Sequence, residues 1–238
     1  MRTLAGKVSV AFVGSLGLLA AALPAAAETP IGRQDLCVTK GEIGAAPGGR
    51  LTIEEPEVRA VSKVPTPQAA EIRFTYRGPS KGTKPLGSGE IRRQLGIKLR
   101  AQDSCNLVYV MWRIEPEAKL VVSIKSNPGQ ELHAQCGTRG YTNVKPMRHA
   151  PLPRSEVGSE HRLRAELRGH ELAVFADGRP VWEGTLGPVI DHFDGPIGLR
   201  TDNVRVEMQY LALDGRPDPG AMLAARMQAA CGGQSEGD

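Results

Sequence analysis

The side chains best suited to bind a ligand lie on one apolar stretch near the middle of the chain. Residues 106–114 read NLVYVMWRI, and a stretch that is apolar on both faces is typical of a central strand. Side chains alternate between the faces of a strand, so Trp112 lies on one face while Tyr109 and Arg113 lie on the other. Aromatic rings offer a stacking surface for sugars, and a guanidinium donates paired hydrogen bonds to hydroxyl or carboxylate groups. We therefore predict a ligand-binding groove lined by Tyr109, Arg113 and Arg92, with Trp112 in the core; the alternative is that Tyr109 and Arg113 only complete a partly buried sheet.

The carboxylates of the chain form no recognisable catalytic motif. Glycosidases need two carboxylates beside the same bond, so that one donates a proton while the other attacks or activates water. Glu115 and Glu117 flank Pro116, which predicts an exposed turn, and Glu207 stands alone. The patterns H-E-x-x-H, G-x-S-x-G and the phosphate loop are absent from the sequence. A Ser/His/Asp site assembled from distant segments stays open.

Oxygen donors for a hard cation occur near the end of the strand-rich region. Asp191, Asp194, Asp202 and Asn203 lie in or near predicted turns, where Ca²⁺ ligands are often found. We expect no required cofactor, since these aspartates are typical of turns, and calcium is the one candidate ion that they could bind. A zinc site has the wrong spacing, because the chain has no C-x-x-C, and His133 with Cys136 would give only half a site.

A second candidate surface is basic. It consists of cationic residues at polar positions of predicted strands: Arg73, Arg77, Lys98, Arg100, Arg164 and Arg168. If these strands adjoin, the surface would attract an anionic polymer. The alternative is a solvated face on which these cations pair with Glu71, Glu166 and Glu171.

The N-terminal residues have the pattern of an export signal. Arg2 and Lys7 precede an uncharged apolar run over 8–23, and Ala25–Ala27 offers the small residues that signal peptidases accept. The run is shorter than the ~20 residues of a membrane span, so we predict cleavage after Ala27 and a secreted or periplasmic protein with no integral membrane segment. A retained anchor is the alternative. The 238-residue chain has a net charge of +4, of which two positive charges lie in the signal, so nucleic acid is not an expected partner.

The four cysteines agree with export. Cys37, Cys105, Cys136 and Cys231 all follow the predicted cleavage site, and an even number in an oxidising compartment predicts disulfides. Of three possible connectivities we favour Cys105–Cys136 together with Cys37–Cys231.

Most of the chain alternates between apolar and polar residues, which predicts strands. Leu163, Ala165 and Leu167 show this pattern, and Asp177-Gly178 predicts a tight hairpin. We predict an all-β, two-sheet antiparallel jelly-roll sandwich with a short C-terminal helix. The predicted boundaries are a signal peptide over 1–27, an irregular segment over 28–50, the sandwich over 51–214, and the helix and tail over 215–238. The helix would begin near Asp218 and Pro219 and end before Gly232.

Two segments resemble a known superfamily. Residues 161–184 read HRLRAELRGHELAVFADGRPVWEG, and 195–213 read GPIGLRTDNVRVEMQYLAL. They resemble the closing strands of concanavalin A-like (laminin-G-like) jelly rolls, which implies two curved antiparallel sheets whose concave face often binds glycans. The segments DGRPVWEG and GPIGLRTDN are also similar to the 3-keto-disaccharide hydrolase family, but no catalytic residue carries over.

These observations predict a non-catalytic module that binds a glycan or another envelope component. The alternatives are a glycoside-processing hydrolase on the same fold and a structural domain that binds other proteins.

Overall fold

The computed structural model describes residues 27–63 and 65–213. The predicted signal peptide, apart from Ala27, and the predicted C-terminal helix lie outside these residues. Within the described ranges no helix has the length and apolar character needed to span a membrane.

Strands make up most of the described chain. In chain order they are β1 (Glu28–Pro30), β2 (Leu36–Lys40), β3 (Gly44–Ala46), β4 (Arg50–Ile53), β5 (Glu57–Ser62), β6 (Ala69–Pro79), β7 (Arg93–Leu99), β8 (Leu107–Glu115), β9 (Lys119–Lys125), β10 (Tyr141–Asn143), β11 (Arg148–His149), β12 (Glu160–Arg168), β13 (Glu171–Ala176), β14 (Arg179–Thr185), β15 (Gly198–Asp202) and β16 (Val204–Leu213). The helical elements of the same ranges are α1 (His133–Cys136) and the 3₁₀ turns Arg33–Asp35, Pro47–Gly49 and Pro188–His192.

The strands form two antiparallel sheets. Within the described residues, sheet A has nine strands in the order β11-β14-β13-β12-β6-β16-β4-β3, with β1 also pairing with β16. Sheet B has seven described strands, in the order β10-β9-β8-β7-β15-β5-β2. The apolar residues on the facing sides of the two sheets form one core cluster, as expected for a sandwich. The predicted all-β sandwich is therefore confirmed.

The central strand β8 shows how the sequence divides between the two faces of sheet B. Val110 and Trp112 belong to the core between the sheets. Tyr109 and Met111 belong to a separate apolar cluster on the outer face of sheet B. The predicted face assignment is confirmed, since Trp112 is in the core and Tyr109 points away from it.

Local turn chemistry fixes the hairpin between β13 and β14. Asp177 (φ 50°) and Gly178 (φ 79°) both have positive φ, as a type I′ turn requires. The hairpin predicted from Asp177-Gly178 is therefore present. It places Phe175 opposite Pro180 and Val174 opposite Trp182.

The N-terminal segment differs from the expectation that 28–50 is irregular. It contains β1, β2, β3 and the first residue of β4. Its glycines and prolines separate these strands rather than preventing them, and each of the first three strands is only three to five residues long. Strands this short leave little room for a period-two pattern in the sequence.

The cysteine predictions are confirmed in part. Cys105 and Cys136 form a disulfide with a Cα–Cα distance of 5.9 Å, so Cys136 is not available as a zinc ligand. Cys37 is disulfide-bonded as well. Its predicted partner, Cys231, lies outside the described residues.

Candidate functional site

Tyr109, the aromatic residue of the predicted groove, is buried on the outer face of sheet B. Only 4% of it is exposed. Its ring stacks on Tyr141 at a centroid distance of 6.0 Å, and the guanidinium of Arg200 lies 5.0 Å from its centroid. A cation over an aromatic ring is attracted by the negative face of the π system. The stacking surface that we predicted for a sugar is therefore used by Tyr141 and Arg200.

Arg113 and Arg92, the other two predicted groove residues, lie together around Glu90. Arg113 Nη1 is 3.5 Å from Glu90 Oε1, and Arg92 Nη2 donates to Glu90 Oε2. Burial, followed by the charge of Arg92, lowers the pKa of Arg113. The hydrogen bond from Arg92 lowers the pKa of Glu90. Arg113 is four residues of extended strand, or ~13 Å, away from Tyr109. The structure therefore brings Arg113 and Arg92 together and leaves Tyr109 apart from them.

A buried ion cluster lies beside this pair on the same face. Asp202 in β15 is fully buried, and it accepts hydrogen bonds from Arg59 Nη2 at 2.6 Å, Arg200 Nε at 2.9 Å and Gln94 Nε2 at 2.6 Å. Burial alone raises the pKa of Asp202, but Arg200 and Arg59 outweigh burial and hold that pKa well below its usual range. Asp202 is thus an ionised structural residue.

Asn203, the next residue, fixes the loop that follows β6. It has positive φ (55°), which asparagine tolerates better than most residues. Its Oδ1 accepts from the backbone N–H of Lys84 at 2.8 Å, and its Nδ2 donates to the carbonyls of Lys84 at 2.8 Å and Arg92 at 3.0 Å. Asn203 therefore holds the loop that carries Glu90 and Arg92 against sheet B.

The aspartates of the predicted calcium site are not brought together. Asp191 lies in the 3₁₀ turn Pro188–His192, where its Oδ1 is 2.7 Å from His170 Nε2. Asp194 follows that turn, and Asp202 is held by two arginines in β15. Within the described residues no group of three or more His, Cys, Asp or Glu side chains has the arrangement of a metal site.

The outer face of sheet A carries an open cleft that the sequence did not identify. Its volume is about 890 Å³. The lining side chains come mainly from the neighbouring strands β6, β12 and β13. They include four arginines, five carboxylates and a half-buried phenylalanine: Arg50, Arg73, Arg162, Arg164, Glu28, Glu71, Glu160, Glu166, Asp177 and Phe175. Donors, acceptors and an apolar ring therefore face the same space.

Ion pairs organise much of the cleft. Arg73 Nε donates to Glu71 and Arg73 Nη2 to Glu28, while Arg164 pairs with Glu166 and lies 5.9 Å from the centre of the Phe175 ring. These contacts hold the guanidinium groups in fixed orientations.

Two charged residues of the cleft are not used in this way. Arg162 and Glu160, both exposed and two residues apart on the outer side of β12, form no ion pair with the described residues. Each can therefore meet a ligand without breaking an existing pair.

The predicted basic stripe divides between the two sheets. Arg73 and Arg77 in β6 and Arg164 and Arg168 in β12 are on the outer face of sheet A, where each meets a glutamate. Lys98 is buried on the outer face of sheet B.

Arg100, the sixth member of the stripe, follows β7 and donates to the carbonyls of Ile190 at 3.1 Å and Phe193 at 3.3 Å. The six cations therefore do not form one continuous stripe, and on sheet A the alternative interpretation holds, since Arg73 pairs with Glu71 and both Arg164 and Arg168 pair with Glu166.

A Ser–His–Asp chain lies at the edge of the cleft. His161 Nε2 is 2.9 Å from Ser159 Oγ, and His161 Nδ1 is 2.9 Å from Asp177 Oδ2. The Ser159 hydroxyl also donates to the carbonyl of Glu156 at 2.6 Å, and Asp177 Oδ1 accepts from the backbone N–H of Arg162 at 2.8 Å. The spacing is that of a nucleophile, a base and an orienting group, but the single hydroxyl proton of Ser159 is directed to Glu156 and not to His161.

No family model and no curated protein sequence matches the chain. Among solved structures, the carbohydrate-binding module CBM66 from Bacillus subtilis matches with a TM-score of 0.51 and 13% identity, over 76% of this chain and 96% of the module. The likeness concerns the fold, a two-sheet antiparallel jelly-roll sandwich.

Other solved structures align with this jelly roll less closely. The Emp46p carbohydrate recognition domain has a TM-score of 0.48 at 14% identity, over 77% of this chain and 90% of that domain. Domain 4 of AbnA, an extracellular arabinanase from Geobacillus stearothermophilus, has a TM-score of 0.42 at 11% identity, over 81% of this chain and 87% of that domain. Sequence identities this low support a similar fold and carry no information about a ligand.

Proposed function

We propose that this jelly roll is a secreted or periplasmic, non-catalytic module that binds a glycan in the outer-face cleft of sheet A. The observation that carries the proposal is the composition of that cleft, in which arginine donors and carboxylate acceptors surround a half-buried phenylalanine. Sugar hydroxyls both donate and accept hydrogen bonds, and the C–H face of a sugar packs on an aromatic ring.

Charge balance favours a neutral glycan over an acidic one. The cleft presents four arginines and five carboxylates, so it has no excess of positive charge to attract an anionic polymer. Arg162 and Glu160 supply an unpaired donor and an unpaired acceptor among the described residues. A pair of this kind suits adjacent hydroxyls of one sugar ring.

The carboxylates support binding rather than glycoside cleavage. Glu71 already accepts from Arg73, and Glu166 already pairs with Arg164 and Arg168. Both carboxylates are therefore occupied by arginine partners of the protein, whereas the two carboxylates of a glycosidase must face the bond that is cleaved.

Of the two candidate binding surfaces, the cleft on sheet A is the more accessible to a ligand. The side chains of Arg73 and Arg164 are 30% and 37% exposed, whereas that of Arg113 in the groove predicted from sequence is 8% exposed. A ligand can reach the first pair without displacing protein atoms.

The test is a glycan array on the exported protein, followed by calorimetry with the best neutral oligosaccharide. Phe175→Ala and Arg162→Ala should each weaken binding by about threefold to tenfold, the range of one stacking contact or one hydrogen bond to a charged group. Phe175→Leu and Arg113→Lys are the matched controls, the first keeping apolar bulk and the second changing a buried residue of sheet B. The proposal is wrong if Arg113→Lys abolishes binding while the cleft variants bind normally.

A hydrolase is the second candidate, and the Ser159–His161–Asp177 chain is the observation that favours it. In this reading Ser159 is the nucleophile, His161 the general base and Asp177 the orienting group, and the Ser159 hydroxyl turns from the Glu156 carbonyl toward His161 Nε2 before reaction. A fluorophosphonate probe should then label the protein at Ser159, and Ser159→Ala and His161→Gln should abolish labelling. Absence of labelling in the folded wild type would leave the non-catalytic proposal.

A further inference from the structure

The outer face of sheet B is unusually apolar and buried for the outside of a two-layer sandwich. Leu107, Tyr109 and Met111 project from β8 on this face, and they pack with Ala101 and the half-buried Val61. Outward positions of a sandwich are ordinarily polar and solvated. This face therefore has the composition of an interface.

Lys98 shows that something further covers the face. It projects outward from β7 beside Gly198 of β15, with Gly96 two positions earlier on the same side and Tyr109 on the neighbouring strand. The side chains of Met111 and Val61 lie over these two glycines, since a Cβ on Gly96 would be 2.6 Å from Met111 Sδ and one on Gly198 would be 3.0 Å from Val61 Cγ1. Lys98 is only 2% exposed. A lysine is rarely buried to this extent on a solvated sheet face, which indicates that this face is covered.

Cys37 lies on the same face and in the same row. Cys37 in β2 pairs with Val61, and Val61 pairs with Gly198, which pairs with Lys98. Leu36 and Val38, its neighbours in the chain, belong to the core, so Cys37 points outward. Cys37 is disulfide-bonded, while Cys105 and Cys136 are bonded to each other.

We propose that the C-terminal segment 214–231 lies across the outer face of sheet B and is held there by a Cys37–Cys231 disulfide. The sequence supplies the segment and the cysteine, since β16 ends at Leu213 and Cys231 is the remaining cysteine of the chain. Leu223 and Met227 precede Cys231 at intervals of four residues, so on the predicted helix all three share one face. When Cys231 bonds to Cys37, that apolar face meets the sheet.

The dimensions agree with this arrangement. A helix over 219–230 is ~18 Å long at 1.5 Å per residue. From β2, which carries Cys37, to β8, which carries Tyr109, is four strand spacings, or ~19 Å. The helix therefore spans the strands from the cysteine to the apolar cluster. The groove predicted from sequence at Tyr109 and Arg113 then holds the chain's own C-terminal segment rather than a glycan.

The first measurement is peptide mapping of the full chain without reduction, on a mixture of ¹⁴N and ¹⁵N protein. We expect a Cys37–Cys231 peptide whose two halves carry the same label. A mixed-label peptide would show that a second copy covers the face, and a Cys37 bonded to any other residue would also overturn the proposal.

The second measurement is acylation of lysines in the folded protein, read by mass spectrometry. Lys98 should react at least about tenfold more slowly than Lys81, whose side chain is 73% exposed. Replacing the clamp and the apolar face together (Cys37→Ser, Cys231→Ser, Leu223→Glu, Met227→Glu) should bring Lys98 to within about twofold of Lys81. Ala225→Glu, on the opposite side of the predicted helix, is the control and should leave Lys98 protected. Lys98 that stays protected in the fourfold variant, with circular dichroism unchanged, would overturn the proposal; if that variant does not fold, the peptide map decides alone.

Discussion

Among substitutions that keep the shape of the side chain, Asp202→Asn should cause one of the largest losses of stability in this protein. The substitution keeps the shape of the side chain but removes the charge that Arg59 and Arg200 face at 2.6 and 2.9 Å. It also replaces an acceptor of four hydrogen bonds, donated by three side chains, by a group with one acceptor end and one donor end. Removing one partner of a buried ion pair leaves an uncompensated charge, and the usual cost is about 3–5 kcal/mol of the free energy of unfolding.

Glu207→Gln is the matched control, because Glu207 also pairs with two arginines. Its carboxylate meets Arg50 at 2.6 Å and Arg77 at 3.1 Å on the outer face of sheet A, but its side chain is 29% exposed. Water can replace those contacts, so Glu207→Gln should change stability much less. Urea unfolding of both variants measures the difference, and equal losses would refute the burial argument.

The same carboxylate predicts the acid limit of stability. Because the pKa of Asp202 is held well below its usual range in the folded protein, its contribution is complete above the unfolded-state pKa of about 4. That contribution is lost as pH falls from about 4 toward the lower folded-state value. The unfolding free energy of wild type should therefore fall in this window, and Asp202→Asn should flatten the dependence. An unchanged slope in the variant would assign acid sensitivity to other groups.

Three further predictions concern stability. Trp112→Ala should cost about 3–5 kcal/mol in urea unfolding, because it removes a fully buried ring that meets Phe74 edge-on at 5.5 Å; a loss below about 1 kcal/mol would contradict its place in the core. Replacing both Cys105 and Cys136 by serine should cost about 3–4 kcal/mol for a bridge with a sequence separation of 31, and an unchanged melting temperature would contradict this. Gly195→Ala should lower the melting temperature because its Cβ would lie 2.0 Å from the Ala101 carbonyl carbon, whereas Gly82→Ala has open space and should be nearly neutral.

The sequence predicted what local periodicity and turn chemistry determine. The alternation at 163–167 placed β12, Asp177-Gly178 gave the hairpin, and the apolar run 106–114 gave a central strand with Trp112 on its core side. Each of these features depends only on residues that are close together in the chain, so a single sequence is enough to predict it.

The sequence did not predict which distant strands adjoin. β6 and β12 are about ninety residues apart in the chain, yet Arg162 lies directly opposite Arg73 across their shared ladder. The cleft on sheet A depends on that pairing and so escaped the sequence analysis. Its signal was present in β12 alone, where Glu160, Arg162, Arg164 and Glu166 occupy successive outward positions with both signs of charge.

The two outer faces of this sandwich differ in the surroundings of their charged side chains. On sheet A the outward arginines alternate with glutamates at partly exposed positions, so water solvates what the ion pairs do not satisfy. On sheet B, Arg200 lies between Asp202 and the Tyr109 ring, next to an apolar cluster. If that cluster were exposed to water, the protein would lose the free energy gained by burying its apolar surface. If the cluster is covered, each charged side chain beside it is buried too and needs an oppositely charged or hydrogen-bonding partner. Arg200 and Arg59 meet that condition through Asp202. This difference agrees with the two proposals made above, a permanent occupant on the outer face of sheet B and an exchangeable ligand on the outer face of sheet A.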